Sequence, residues 1–97
     1  MKRKQALKKA EQLITGDRAK DYGDAYQTHE SIAKMWSVLL GKEVTVHDVY
    51  RCMIAVKCVR LTHTPKHEDS MLDIIGYASL AMEAMDGKHS GGLYNLL

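Results

Sequence analysis

The chain has 97 residues, 45% of them hydrophobic, and a formal net charge of +2 at pH 7. This length suits one compact domain and excludes a chain of several domains. The apolar runs are too short to cross a bilayer, and the basic start Met1–Lys4 leads into further charges rather than a signal peptide. We therefore expect a protein of the cytoplasm, with no membrane partner.

The excess positive charge lies near the amino terminus, in Lys2, Arg3, Lys4, Lys8 and Lys9. No aromatic residues are interleaved with these cations, so the run is typical of a solvated helix face. Nucleic acid is accordingly not an expected partner.

Cys52 and Cys58 lie six residues apart in one predicted helix, about 120° apart around its axis. They cannot bond to each other, and no Cys or His residues stand at zinc-ligand spacing. We expect two reduced, packed thiols in a reducing compartment.

Apolar residues recur at spacings of three and four, which predicts helices and no strands. The first helix is predicted from Lys4 to Ile14, ending at Gly16. A second is predicted from Asp24 to Leu40, ending at Gly41. Between them, residues 17–24 form a polar loop suited to carry function. The apolar face of the second helix is predicted to comprise Ala25, Ile32, Trp36, Leu39 and Leu40, with Ser37 on its polar face.

The third helix has the clearest predicted start, because Thr45 and Asp48 stand at capping-box spacing. It should continue to Leu61 or Thr62. Thr64 followed by Pro65 is typical of an N-cap and first helical turn, so a fourth helix is predicted from there to Asp86. Glu68 and Asp69 would then lie near the positive end of its dipole.

Residues 1–88 are thus predicted to form a single helical domain. Residues 89–97 contain two adjacent glycines followed by apolar residues, which predicts a flexible tail that docks on its own domain or on a neighbour.

The third helix places two cations on its inner side. At about 100° per residue, Lys57 and Arg60 fall opposite Asp48, Arg51 and Ala55, on the side that a bundle helix should bury. A buried cation requires carboxylates, carbonyls or a ligand anion.

The fourth helix offers those partners, since Asp69 and Asp73 share one face with Gly76 a turn further on. A cation between the two carboxylates would relieve their repulsion, and Gly76 would allow close approach of a ligand or backbone. Two readings stay open: a structural salt-bridge cluster, or an anion or metal site. Among the histidines, His29 is predicted to be a core residue and His47 to be exposed.

Several segments in this order resemble a family of small phage-encoded proteins of unknown function and, more widely, a phage domain associated with nucleotide modification. The resemblance covers residues 10 to 85 and is carried by Asp17–Asp24, Ile32–Trp36, Met53–Leu61 and Asp69–Tyr77. More distantly, the chain looks like the all-helical MazG-type nucleoside triphosphate pyrophosphohydrolases. The resemblance implies an all-α, four-helix MazG-like bundle in the cytoplasm of a host cell.

MazG-type enzymes hold magnesium with E-x-x-E on one helix and E-x-x-D on the next. Here Asp69 and Asp73 approximate the second motif at one residue wider spacing, while Glu30 is followed three residues later by Ala33, so the first motif is missing. Mg²⁺ therefore stays open as a cofactor, with Asp69, Asp73 and Glu30 as its ligands.

The phosphate-binding half of such a site is retained. Lys57 and Arg60 can grip an anion, and Asp69 and Asp73 can orient those cations. The remaining ligand-binding candidates are one cation, one carboxylate and three rings that could stack on a base: Arg18, Asp21, Tyr22, Tyr26 and Tyr77.

These residues predict a protein that binds a nucleotide or nucleotide signal without turning it over. The alternatives are a magnesium-dependent pyrophosphohydrolase and a protein-interaction inhibitor that uses the apolar tail. Because the third helix is apolar nearly all round, we also expect a homo-oligomer, most simply a dimer.

Overall fold

The computed structural model describes residues 1–16 and 25–86, and within these ranges it contains four α-helices and no strand. They are α1 (Arg3–Thr15), α2 (Ala25–Leu40), α3 (Val46–His63) and α4 (Glu68–Ala84). The all-α, four-helix prediction is confirmed. The predicted loop 17–24 and the predicted tail 89–97 lie outside the described residues. No helix in the described ranges is both long and apolar enough to span a membrane.

The α3–α4 pair forms the centre of the fold, with α1 packed mainly on α4 and α2 mainly on α3. Its core cluster contains the buried residues Val46, Tyr50 and Ala84, surrounded by Tyr26, Tyr77, Leu80 and Ala81. This central pair makes the largest contact between any two helices of the fold. It also fixes the relative positions of side chains on α2, α3 and α4.

The predicted end of the second helix and the predicted start of the third are confirmed. The backbone N–H of Thr45 donates to Asp48 Oδ2 at 3.0 Å, and the N–H of Asp48 donates to Thr45 Oγ1 at 3.2 Å. This capping box satisfies two backbone donors that the first turn of α3 would otherwise leave unpaired. Gly41 ends α2 with a φ of +69°, a left-handed conformation that glycine adopts without steric cost.

The start of the fourth helix was predicted wrongly. Thr64 caps the carboxyl end of α3 instead, donating its N–H to the Arg60 carbonyl at 3.0 Å. The N-cap of α4 is His67, whose Nδ1 accepts from the Ser70 N–H at 3.3 Å. A histidine ring can accept a backbone proton as a serine hydroxyl does, and this signal is not visible in the sequence pattern. Glu68 and Asp69 do lie in the first turn, as predicted.

Several burial predictions fail at the edges of the fold. Leu39 and Leu40, predicted on the buried face of the second helix, are 72% and 64% exposed because no other described helix covers the end of α2. His47 is buried rather than exposed. Cys52 and Cys58 are both free, as predicted, but they are exposed rather than packed.

Ser37 also departs from its predicted place on the polar face of the second helix. Its Oγ is partly buried, accepts from the Val44 N–H at 2.8 Å and donates to the Ala33 carbonyl at 2.8 Å. The side chain therefore joins the end of α2 to the segment that precedes α3.

Gly76 is buried where α1 crosses α4. A Cβ atom at this position would lie 3.1 Å from Cγ2 of Ile14. The predicted close approach is therefore to a side chain of α1, and not to a ligand or another backbone. Because Gly76 has no side chain, α1 can pack closely on α4 at this point.

Candidate ligand-binding site

One ion pair connects the two central helices. Lys57 Nζ of α3 lies 3.1 Å from Asp73 Oδ2 of α4, and the side chains are only 15% and 12% exposed. The prediction that Lys57 points inward and meets a carboxylate of the fourth helix is confirmed. Removing two charges from water costs about as much free energy as their attraction recovers, so such a pair adds little to the stability of the fold.

Arg60 and Asp69 do not join this pair. Both side chains are exposed, and neither takes part in an ion pair among the described residues. Arg60 lies near the carboxyl end of α3 at the margin of its inward face, where a long side chain reaches water. Asp69 lies in the first turn of α4, one turn before Asp73. The predicted burial of Arg60 is therefore wrong, and of the four predicted side chains Lys57 and Asp73 are the two that meet.

An aromatic cluster lies on the same helices. The His29 ring of α2 makes edge-on contacts with Tyr50 and Tyr77, with centroid distances of 4.8 and 5.7 Å. The Tyr50 and Tyr77 rings are 6.4 Å apart. Tyr77 follows Asp73 by one helical turn on α4, and Tyr50 precedes Lys57 by two turns on α3. The ion pair and the aromatic rings therefore lie along the same α3–α4 seam.

Burial lowers the pKa of His29 below its ordinary value, while the nearby Ala25 carbonyl partly opposes this shift. The Nδ1 atom is buried and has no hydrogen bond of good geometry within the described residues. A neutral imidazole is therefore favoured against the two tyrosine rings. In the neutral state the His29 ring can make a hydrogen bond to a ligand without adding charge to the site.

Tyr26 lies at the start of α2, against the same core cluster. Burial raises the pKa of its phenol, and a hydrogen bond to the negatively charged Glu30 raises it further. Glu30 also lies 3.6 Å from Lys34 Nζ in an exposed pair on the same helix. Glu30 is thus held by neighbours on α2.

The three predicted magnesium ligands, Glu30, Asp69 and Asp73, are not brought together. In the two described ranges, no group of three His, Cys, Asp or Glu side chains is arranged to hold a metal ion. Their role as magnesium ligands stays a prediction. The further predicted ligand residues Arg18, Asp21 and Tyr22 lie outside the described residues.

Sequence reasoning identified Lys57, Asp73, Tyr26 and Tyr77 but missed the part that His29 and Tyr50 play in this cluster. A spacing signal existed for Tyr50, because residues seven apart return to nearly the same helix face and Tyr50 precedes Lys57 by seven. For His29 the sequence indicated an inward position, but not that it would meet two tyrosines.

Comparison with known proteins places the chain among phage sequences. It is 44% identical over 75 residues to the Gene 55 protein of Mycobacterium phage L5, covering 76% of the chain and 48% of that protein. It is 40% identical over 72 residues to the Gene 55 protein of Mycobacterium phage D29, covering 74% and 48%. The chain thus spans about half the length of these relatives. No solved structure matches it.

The profile of a domain of unknown function, DUF6378, matches residues 5–85. This span agrees with the extent of the resemblance to small phage proteins of unknown function inferred from the sequence, and it covers most of the chain. The chain belongs to the DUF6378 family.

Proposed function

We propose that this chain binds a phosphate-bearing nucleotide or nucleotide signal and sequesters it without turning it over. The observation that supports the proposal most is the nearly buried Lys57–Asp73 pair on the same seam as the aromatic cluster. Apolar residues of similar size would stabilise this position at least as well. A charged pair next to rings is better explained as part of a ligand site.

The phosphates would bind at the carboxyl end of α3. Arg60 follows Lys57 by three residues, so the two side chains leave neighbouring positions of the helix surface. Asp73 already compensates the charge of Lys57, so most of the new attraction comes from Arg60, whose planar guanidinium suits a phosphate group. Asp73 would then hold the Lys57 ammonium group in position, so that Lys57 and Arg60 could contact the same phosphate.

The base would stack on partly exposed rings of the same site. Tyr26 and Tyr77 are both only partly buried, and Tyr77 lies next to the ion pair along α4. A tyrosine ring offers apolar stacking surface together with a hydroxyl that can donate or accept. We include Arg18, Asp21, Tyr22 and Asp69 as further ligand contacts on the basis of the sequence, and a MazG-like arrangement of the helices as part of this proposal.

The phage origin of the relatives fits a role in an infected host cell, where a small binding protein could withdraw a nucleotide from use. The proposal is tested by incubating the chain with a panel of nucleotides, with and without Mg²⁺, followed by chromatography. Retention of an unchanged nucleotide supports sequestration. Release of a monophosphate and pyrophosphate only with Mg²⁺ would replace it by a pyrophosphohydrolase. Failure to retain any nucleotide would contradict both and favour a protein-interaction inhibitor.

A matched pair of arginine variants tests the site itself. Arg60→Ala should weaken binding of the retained nucleotide by about 10- to 150-fold, which corresponds to loss of one charged hydrogen bond of roughly 1.5–3 kcal/mol. Arg51→Ala is the control, because Arg51 is another exposed arginine of α3 but pairs with Asp48 at 3.3 Å. Titration calorimetry measures both affinities. Equal losses in the two variants would mean that the ligand responds only to overall charge.

A further inference from the structure

The middle of the outward side of α3 is apolar. At about 100° per residue, Cys52, Ala55, Val56 and Val59 fall on the side opposite the buried core residues of this helix. All four are exposed, and Val59 is 61% exposed. Water therefore meets a continuous apolar strip along the middle of the helix.

In the middle of α3, over residues 52–59, the distribution of charge is the reverse of that on an ordinary surface helix. From Cys52 to Val59 the sequence has a single charged residue, Lys57, and its ammonium group points inward to Asp73. A surface helix normally buries its apolar side and exposes its charges. An exposed apolar side with the charge turned inward is a surface suited to another protein.

The end of α2 adds a second exposed apolar surface. Met35, Val38, Leu39 and Leu40 are all exposed, Val38 by 78%, and no charged residue occurs between Lys34 and Lys42. The hydrogen bond between Val44 and Ser37 holds this part of α2 near the start of α3. The last turn of α2 follows Ser37 and extends beyond this contact. The two apolar surfaces therefore belong to neighbouring helices.

The outward side of α3 is complementary to the same side of a second copy that packs antiparallel to it. Asp48 lies near the amino end of its outward side and His63 at the carboxyl end, with the apolar strip between them. If two copies of α3 pack antiparallel about a point between residues 55 and 56, Asp48 of each copy faces His63 of the other. Such reciprocal pairing is what a two-fold symmetric interface requires, and antiparallel packing also aligns the helix dipoles favourably.

The area that a stable interface requires indicates that both α2 and α3 would take part in it. The 18 residues of α3 span about 27 Å, and a strip about 10 Å wide along it offers roughly 270 Å². A stable interface covers about 800 Å² on each partner. The exposed end of α2 supplies further apolar area, and it lies at the end of α3 that an antiparallel partner would approach with its own carboxyl end.

We infer that a second copy of this chain covers these surfaces, with the two α3 helices packed antiparallel and the ends of α2 flanking them. The contact uses none of the side chains of the proposed nucleotide site, because around α3 Lys57 lies about 160° and Arg60 about 100° from Val59. Nucleotide binding and self-association can therefore succeed or fail separately.

Molecular mass in solution tests the interface. By sedimentation equilibrium at micromolar concentration, the wild-type chain should be a dimer and Val59→Glu a monomer. Leu7→Glu is the matched control, because Leu7 of α1 and Val59 are equally exposed, at 61%, and it should remain a dimer. Circular dichroism should show equal helix content for all three proteins. A monomeric wild type, or equal dissociation by both substitutions, overturns the inference.

Cross-linking tests the antiparallel register. In a background of Cys52→Ser and Cys58→Ser, Ala55→Cys places one thiol of each copy close to the proposed two-fold axis. Mild oxidation should join two such chains much faster than chains carrying Ser79→Cys, an exposed position on α4. Equal rates of cross-linking at the two positions would overturn the proposed register.

Discussion

The two halves of α3 have the same helical geometry but different surroundings. In the amino half, Val46, His47, Val49 and Tyr50 are buried. In the carboxyl half, Lys57 and Leu61 are only partly buried and most other residues are exposed. The amino half is therefore where the helix contributes to folding, and the carboxyl half is where it has side chains available for binding.

The largest effect is expected from the amino half. Tyr50 is 0% exposed, so Tyr50→Ala should lower the free energy of unfolding by about 3–5 kcal/mol, since it leaves a cavity in the core cluster. Cys58→Ala, in the exposed carboxyl half, should change it by less than about 0.5 kcal/mol. Chemical denaturation followed by circular dichroism measures both. Similar losses at the two positions would remove the contrast between the halves.

A smaller effect is expected at the ion pair. Lys57→Met removes the cation that lies 3.1 Å from the nearly buried Asp73, which should cost about 3 kcal/mol, the lower end of the range for breaking a buried pair. Adding Asp73→Leu should recover most of that loss, because the carboxylate that Lys57 neutralised is removed as well. Thermal unfolding of the single and double variants gives the comparison.

Arg51→Ala is the control for the ion pair, because it breaks the exposed Arg51–Asp48 contact and should cost less than about 1 kcal/mol. A double variant that is as unstable as Lys57→Met would mean that the charged pair itself is needed for packing. A double variant that is stable but no longer retains nucleotide would support the ligand site.

The start of α3 should respond more modestly. Thr45→Ala removes the hydroxyl that accepts from the Asp48 N–H, and loss of such a cap costs about 1 kcal/mol. Thr62→Ala is the matched control, because the Thr62 hydroxyl donates to a carbonyl one turn earlier in the exposed end of the same helix. Thermal unfolding should show a lower melting temperature for Thr45→Ala alone. Equal shifts would mean that the cap does not help to anchor the amino half.

The smallest effect concerns pH. Because burial lowers the pKa of His29 in the folded chain, the unfolded chain binds the proton more readily. The resulting stabilisation is complete above the unfolded value near 6.5 and is lost as the pH falls from there through the folded pKa. His29→Gln should flatten this dependence. Unfolding measured across this range would contradict the assignment if the variant kept the pH dependence of the wild type.

Much of the fold follows from local signals in the sequence. The spacing of Thr45 and Asp48 and the positions of Gly16 and Gly41 fixed three helix ends within a residue, because caps act over a single turn. The start of α4 was misplaced because Thr64–Pro65 matches a common cap, while the acceptor in use is a histidine ring. Leu39 and Leu40 were misplaced because a helical pattern shows which residues share a face but not where the neighbouring helix ends.

Part of the candidate site was also predicted from local signals. Lys57 was correctly placed on the inward face, since its angle around the helix is fixed by the backbone. Asp69 and Asp73 share a face equally well, yet only Asp73 reaches Lys57, because the crossing of α3 and α4 decides which turn comes close. Arg60 shares the inward side by angle but lies at its margin, near the end of the helix, where solvent takes the place of packing.

The sequence by itself determined that this protein is helical, where α3 begins and that Lys57 faces inward, because backbone periodicity and capping are local interactions. Only the tertiary structure decided that Asp73 rather than Asp69 meets Lys57, that His29 contacts both Tyr50 and Tyr77, and that apolar residues of α2 and α3 stay exposed. These contacts depend on how far each helix extends past its neighbour and at what angle they cross. That geometry is set by the packing of the whole core and not by any one segment.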